Sequence, residues 1–226
     1  MCSSDLCIPL TWFLHTEAQA SYLADIRDIK RDGHDIQLHC YRHETYADFR
    51  QNLDNIRKGK ELMEANGMVP AGYASPFGKW NPDLNRVLEQ LKFSYSSEFA
   101  MGYDDFPFYP VTGNKTSKIL QLPVHPICIG SLRKSYHSPE EMMSYFERVI
   151  HQCHQTSRPI MLYGHPYREI DHYGDVIQFI FCILKDLKNT WVTTYSAYAS
   201  WWKKRLEARY LVRCDANGVT IETKNN

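Results

Sequence analysis

Apolar and polar residues alternate along the chain with two different periods. Short apolar stretches rich in β-branched and aromatic residues are typical of strands, and longer stretches with apolar residues one helical turn apart are typical of helices. The first pattern predicts strands at 8–14, 34–39, 69–74, 93–99, 119–124, 158–163 and 191–195. The second predicts helices at 17–31, 46–66, 82–91, 176–187 and 196–207, with a further helix starting at Ser138. This repeated strand–helix order predicts an α/β domain with a parallel sheet, either a barrel or doubly wound.

Two segments depart from this alternation. Residues 100–118 combine Gly, Pro and Asp with several aromatic residues and have no period, which predicts a long loop over the functional site. Residues 208–226 contain two β-rich stretches around Asn217-Gly218, which predict a hairpin. The expected division is therefore a domain over 1–207 and a hairpin, or the start of a β extension, over 208–226.

Charge and cysteine content limit the partners and the compartment. The formal net charge is +0, from 26 basic and 26 acidic side chains, which argues against nucleic acid and against an anionic membrane as partner. The longest apolar run, 176–184, is too short to span a bilayer. Seven dispersed cysteines without a CxxC pair predict reduced thiols and a cytoplasmic protein. The oligomeric state stays open.

Candidate chemistry lies at three predicted strand exits. His39 and His43 follow the strand at 34–39 with four-residue spacing, so a helical turn there lets both imidazoles bind one divalent cation. The alternative is a pair of hydrogen-bonded histidines without a metal. The second exit is the stretch 72–82, and the third is Leu162-Tyr163-Gly164-His165-Pro166.

In this order the three stretches resemble the polysaccharide deacetylase family, the nodulation-type carbohydrate esterases. His39-Cys40-Tyr41-Arg42-His43 looks like the family's His-Ser/Thr-x-x-His motif. Ala74-Ser75-Pro76-Phe77-Gly78 looks like its Arg-x-Pro-aromatic-Gly motif with alanine in place of arginine. His165 fits the histidine that follows the family's last apolar strand. The resemblance extends over residues 9–202.

The resemblance implies an irregular, incomplete (β/α) barrel with its site at the carboxyl ends of the strands. The family's first strand carries an aspartate pair, of which one residue is a metal ligand and the other the general base. Only nine residues precede Leu10, so this strand is expected to be missing and the chain to be N-terminally incomplete. Ala74 cannot orient a base as the family's arginine does.

The implied activity is the metal-assisted hydrolysis of a carbon–nitrogen bond, the N-acetyl amide of a carbohydrate. The resemblance assigns a divalent metal, zinc, to His39 and His43, and the role of general acid to His165. The implied substrate-binding residues are Pro76, Phe77, Gly78, Trp80 and Tyr103, since aromatic rings stack on the apolar faces of sugars.

Each assignment has an alternative in which the residue has only a structural role. The aromatic residues are equally well explained as loop or core packing, and His165 as a structural histidine before a proline turn. The whole chain is open to a second interpretation, a catalytically impaired fragment or pseudoenzyme that acts as a carbohydrate-binding or structural module. A third is an α/β domain with an unrelated activity.

Overall fold

A parallel five-stranded sheet forms the centre of the chain, for which the computed structural model describes residues 8–29, 32–99, 106–215 and 218–224. Every pairing within this sheet is parallel. In spatial order its strands are β1 (Thr11–His15), β2 (Asp35–Cys40), β3 (Gly72–Ala74), β4 (Tyr95–Ser97) and β7 (Leu120–Gln121). Spatial order thus follows chain order, and all the strand exits lie at the same edge of the sheet. This confirms the predicted α/β fold with a parallel sheet.

Helices connect the strands and begin at the residues that the sequence marks as caps. Asn81 accepts a hydrogen bond from the backbone N–H of Leu84, and Ser138 and Glu141 form a reciprocal capping box. The helices are α1 (Leu23–Ile29), α2 (Phe49–Ala65), α3 (Pro82–Gln90), α4 (Ile129–Lys134), α5 (Pro139–Gln155), α6 (Pro166–Asp186) and α7 (Tyr195–Glu207). None of these described helices is both long and apolar enough to cross a membrane.

Two antiparallel ribbons lie outside the main sheet. Strands β5 (Val111–Thr112) and β6 (Lys115–Thr116) form a small hairpin within the predicted long loop, of which residues 100–105 lie outside the described residues. Strands β8 (Arg209–Asp215) and β9 (Gly218–Lys224) confirm the predicted terminal hairpin. The domain boundary after residue 207 coincides with the end of α7 and stays a prediction.

Apolar packing anchors the helices to the sheet. Leu38 of β2 and Tyr73 of β3 share one buried cluster with Ile56 of α2 and Leu88 of α3. Full burial of such side chains contributes roughly 1.5–3 kcal/mol each. Other clusters join α5 to α6 and the later strands to Trp202 of α7. The strands are thereby held rigidly while their carboxyl ends stay available for a site.

The start of α7 packs against the first two strands. The backbone N–H of Tyr195 donates to Thr11 Oγ1 at 2.9 Å, and that of Ser196 donates to Asp35 Oδ2 at 3.2 Å. At the opposite side of the sheet, the backbone N–H of His125 donates to the carbonyl of Met161 at 2.9 Å. These contacts extend the sheet towards a barrel. The segments of this barrel that follow β7 are not hydrogen-bonded as strands.

Several predicted elements were wrong in type or extent. Residues 158–163 and 191–194 have no regular secondary structure and form no ladder, and Tyr195 already belongs to α7. Their apolar residues indicate partial burial, and a segment can be partly buried without pairing with a neighbouring strand. Helix α6 starts at Pro166, earlier than predicted, because polar residues in its first turns conceal the helical period. Helix α4 was not predicted, and the segment expected to be one helix over 17–31 begins with a 3₁₀ turn at Ala20–Tyr22.

Candidate active site

Three histidines converge where β1 and β2 end. His15 is the last residue of β1, His39 is the penultimate residue of β2, and His43 lies on the turn that follows. The ring centroids of His39 and His43 are 4.9 Å apart, and those of His15 and His43 are 5.7 Å apart. The turn after β2 therefore brings the predicted pair together and adds His15 to it.

His39 is held in one tautomer by the neighbouring strand. Its Nδ1 lies 2.6 Å from the carbonyl oxygen of Ala74. Because a carbonyl only accepts, Nδ1 carries the proton and Nε2 keeps a free lone pair. Burial lowers the pKa of His39 to about 4, and partial burial also lowers the pKa of His43. Both imidazoles are therefore neutral at neutral pH, which is the form that binds a metal.

His15 was missed in the sequence. Its Nε2 is buried and has no hydrogen-bond partner among the described residues. A buried polar atom of this kind is unfavourable unless something satisfies it. The signal that could have revealed His15 is its position at the end of the strand that pairs with β2, where it lies in register with Cys40.

The turn after β3 presents an aromatic ring beside these histidines. Phe77 has a positive φ of 60°, its side chain is 57% exposed, and its ring meets that of His43 edge-on at 4.8 Å. The ammonium group of Lys79 lies 5.1 Å from the centroid of the Phe77 ring. An exposed ring held in a strained backbone conformation next to a polar cluster is a surface for a ligand.

The other predicted substrate-binding residues have different surroundings. Pro76 is buried, and its carbonyl accepts a hydrogen bond from Thr45 Oγ1 at 3.2 Å. Gly78 also has a positive φ, and a side chain there would meet the ring of Phe99 at 2.3 Å. Trp80 is half-buried, with its Nε1 lacking a partner among the described residues. Tyr103 lies outside the described residues.

His165 forms a cluster with Cys128 and Glu169. The backbone N–H of His165 donates to Glu169 Oε2 at 2.9 Å, and its Nδ1 lies 3.5 Å from Oε1. The hydrogen bond to Cys128, followed by that to Glu169, raises the pKa of His165 to about 9. Burial raises the pKa of Cys128, but hydrogen bonds with His165 and Ser131 outweigh this and lower it to about 7.

The acidic partner of His165 is thus Glu169. Glu169 follows His165 by four residues on the first turns of α6, so the helical spacing was the available signal. Cys128 was missed, because only the fold brings the start of α4 to His165. After burial, which is the largest cause, a positive charge on His165 is among the smaller influences that lower the pKa of both His39 and His43.

Glu98 is a buried acid directly after β4 that the sequence reasoning also missed. Its side chain is 2% exposed, accepts a hydrogen bond from Ser96 Oγ at 2.6 Å and contacts the side-chain amide of Gln121. Burial raises its pKa from 4.5 to about 7, although these hydrogen bonds oppose the rise. Glu98 therefore makes the stability of the fold depend on pH.

Stability is expected to fall between about pH 4.5 and pH 7 because of Glu98. In this window the unfolded chain has released the proton and the folded chain still holds it, so rising pH favours unfolding, by up to roughly 3 kcal/mol. Glu98→Gln should remove this dependence, since Gln121 has a buried, unpartnered Oε1 that can accept from the new amide. Urea unfolding at pH 5 and pH 8 measures the difference.

The exposed Glu147 of α5 offers the matched control, because Glu147→Gln removes a carboxylate without changing the core. The control should retain the pH dependence of the wild type. Equal pH dependence in wild type and Glu98→Gln would show that the buried carboxyl does not titrate in this range.

Comparison with known proteins agrees with this architecture. The sequence profile of the polysaccharide deacetylase family matches residues 4–96. The peptidoglycan deacetylase of Helicobacter pylori is 28% identical over 116 residues, which are 50% of this chain and 39% of that protein. The chain therefore spans well under half the length of this relative.

Solved structures show that the shared fold extends beyond residues 4–96. A putative polysaccharide deacetylase from Mycobacterium smegmatis superimposes with a TM-score of 0.77 at 20% identity, covering 90% of this chain and 75% of that one. A family 4 acetyl xylan esterase from Clostridium thermocellum, solved with a cobalt ion, gives a TM-score of 0.57 at 13% identity, covering 88% and 80%. The fold is that of the polysaccharide deacetylase barrels, as predicted.

Proposed function

We propose that this chain provides the metal-binding and proton-donating side chains of a hydrolase that cleaves the N-acetyl amide of a carbohydrate. The observation that carries the proposal is the convergence of His15, His39 and His43 opposite His165 at the strand exits. The match of residues 4–96 to the polysaccharide deacetylase family supports the same reaction.

The histidine cluster suits a divalent cation, and we propose zinc. His39 offers Nε2 because its Nδ1 is engaged by Ala74, and His15 has a buried nitrogen that lacks a partner among the described residues. Neutral imidazoles are preferred zinc ligands. When bound, such a cation supplies Lewis acidity and makes water a stronger nucleophile at neutral pH. His39 and His43 would hold it. The ligand atoms of His15, His39 and His43 do not all lie within 4.8 Å of one another, so the ring of His15 would have to turn to act as a further nitrogen donor.

His165 would donate the proton that the departing amine needs. Its raised pKa keeps the imidazole protonated at neutral pH, and Glu169 fixes the ring through the Nδ1 side. Phe77 would contact the apolar face of a sugar ring next to His43. Binding, orientation and proton donation are thus divided among three strand exits.

A specific observation favours a second candidate, an impaired relative that binds carbohydrate without turning it over. Among the described residues no carboxylate joins His39 and His43 in a set of three ligands whose donor atoms lie within 4.8 Å of one another. Ala74 also lacks the guanidinium that its family motif carries. For either candidate we propose a cytoplasmic location, on the seven dispersed cysteines without a CxxC pair.

Acetate release and oligosaccharide binding, measured in parallel, separate the two candidates. The hydrolase proposal predicts zinc-dependent acetate release from N-acetylglucosamine oligomers or peptidoglycan fragments that disappears in His39→Ala, while Phe77→Ala weakens binding. Oligomer binding without any acetate release would favour the impaired relative. Neither binding nor release would contradict both candidates. His151→Ala, a change on the exposed side of α5, is the control and should behave as wild type.

A further inference from the structure

A second set of metal-ligating side chains surrounds His165. Sγ of Cys128, a ring nitrogen of His165 and a carboxylate oxygen of Glu169 all lie within 4.8 Å of one another. Cys128 precedes α4, and the other two residues begin α6. This is the one group of three or more such ligands found in the part of the chain that the structure describes.

The backbone around Glu169 is built to hold its carboxylate. A Cβ atom on Gly130 would lie 2.8 Å from Glu169 Oε1, and one on Gly164 would lie 2.9 Å from Oε2. A side chain at either position would force the carboxylate to shift. Glu169 is 5% exposed, and its buried charge is compensated by the His165 imidazolium, a role that a bound cation would take over.

We propose that Cys128, His165 and Glu169 bind a divalent cation of the zinc class, at a site separate from His39 and His43. A thiolate, an imidazole and a carboxylate are all ligands that zinc accepts, and three protein ligands leave a fourth position open. The thiolate disfavours magnesium and calcium, which prefer oxygen ligands. Binding releases the proton of the Cys128 thiol and one proton of the His165 imidazolium to solvent as the sulfur–metal and nitrogen–metal bonds form. For zinc to bind, the three donor atoms must move slightly closer together, so that each lies about 2.0–2.3 Å from the metal.

Occupancy of this site has a consequence that rests on the proposed function. A cation on the ring of His165 takes the lone pair that would otherwise carry the proton for the departing amine. Zinc bound at Cys128, His165 and Glu169 would therefore inhibit turnover. The binding claim itself does not depend on turnover.

Cobalt titration of the full chain tests the binding claim, because a cobalt–thiolate bond produces a charge-transfer band in the near ultraviolet. The wild type and the double variant His39→Ala/His43→Ala should both develop the band. Cys128→Ser should lose it, and Cys182→Ser, which changes an exposed cysteine on α6, should keep it. Absence of the band in wild type, or its persistence in Cys128→Ser, overturns the proposal.

Alkylation of the wild-type protein gives a second readout that needs no variant at Cys128. Zinc should slow iodoacetamide modification of Cys128 at least tenfold by peptide mapping, and leave Cys182 unaffected. Gly164→Ala should weaken this protection, since its methyl group displaces the carboxylate of Glu169. Equal modification of Cys128 with and without zinc contradicts the site even if Cys128→Ser fails to fold. Failure of the proposed hydrolysis alone would leave both the cobalt band and this protection intact.

Discussion

Residues 1–226 on their own are expected to release acetate about 100-fold to 10,000-fold more slowly than a family member with a positioned general base. Among the described residues, no carboxylate completes a set of three donor atoms within 4.8 Å of one another with His39 and His43. The methyl group of Ala74 cannot orient a base, and its carbonyl is already engaged by His39. No described carboxylate is therefore assigned to take the proton from the attacking water.

The measurement is acetate release from chitin oligomers and peptidoglycan fragments with added zinc or cobalt, beside the Helicobacter pylori peptidoglycan deacetylase. A version extended upstream by whatever the gene encodes should be assayed in the same series. A marked rise in rate with the extension would locate the base there. Rapid turnover by residues 1–226 alone, abolished by His39→Ala, would contradict the prediction and require a base among the residues already present.

Zinc affinity at the histidine cluster is expected to fall at least tenfold in His43→Ala. The variant removes one of the nitrogen donors that converge there, and even the loss of an indirect partner of a metal ligand typically costs about 10-fold to 100-fold in affinity. His43 is exposed on a turn, so its removal should leave the fold intact. Titration calorimetry at neutral pH in the Cys128→Ser background isolates this cluster from the one around His165.

Two controls sharpen the comparison. His151→Ala in the same background removes an exposed histidine of α5 and should leave the affinity unchanged. His15→Ala should also weaken binding if its unpartnered Nε2 is a third donor. Equal affinity in His43→Ala and its parent would mean that zinc binds elsewhere on the chain.

Local signals made several helix starts predictable. The cap at Asn81, the proline that follows it and the capping box of Ser138 and Glu141 each depend on a few neighbouring residues, so the sequence displays them directly. The spacing of His39 and His43 is equally local, and the structure brings the rings to 4.9 Å. Their role as metal ligands stays a prediction.

What the sequence concealed depends on contacts between distant segments. The segment at 158–164 contacts the sheet through the backbone of Met161 without forming a ladder, and apolar pattern alone does not distinguish these cases. Cys128 meets His165 only because α4 and α6 start side by side. His15 gains its significance from the register of β1 against β2. In each case the role of the residue depends on contacts with distant segments, which the local sequence pattern does not determine.

Anomalous diffraction from zinc-soaked crystals of Cys128→Ser tests the central claim most directly. The account predicts a zinc peak about 2.0–2.1 Å from Nε2 of His39 and from a ring nitrogen of His43, with the His15 ring turned towards it. Ordered His39 and His43 side chains without a peak between them, in crystals that hold zinc elsewhere, would contradict it.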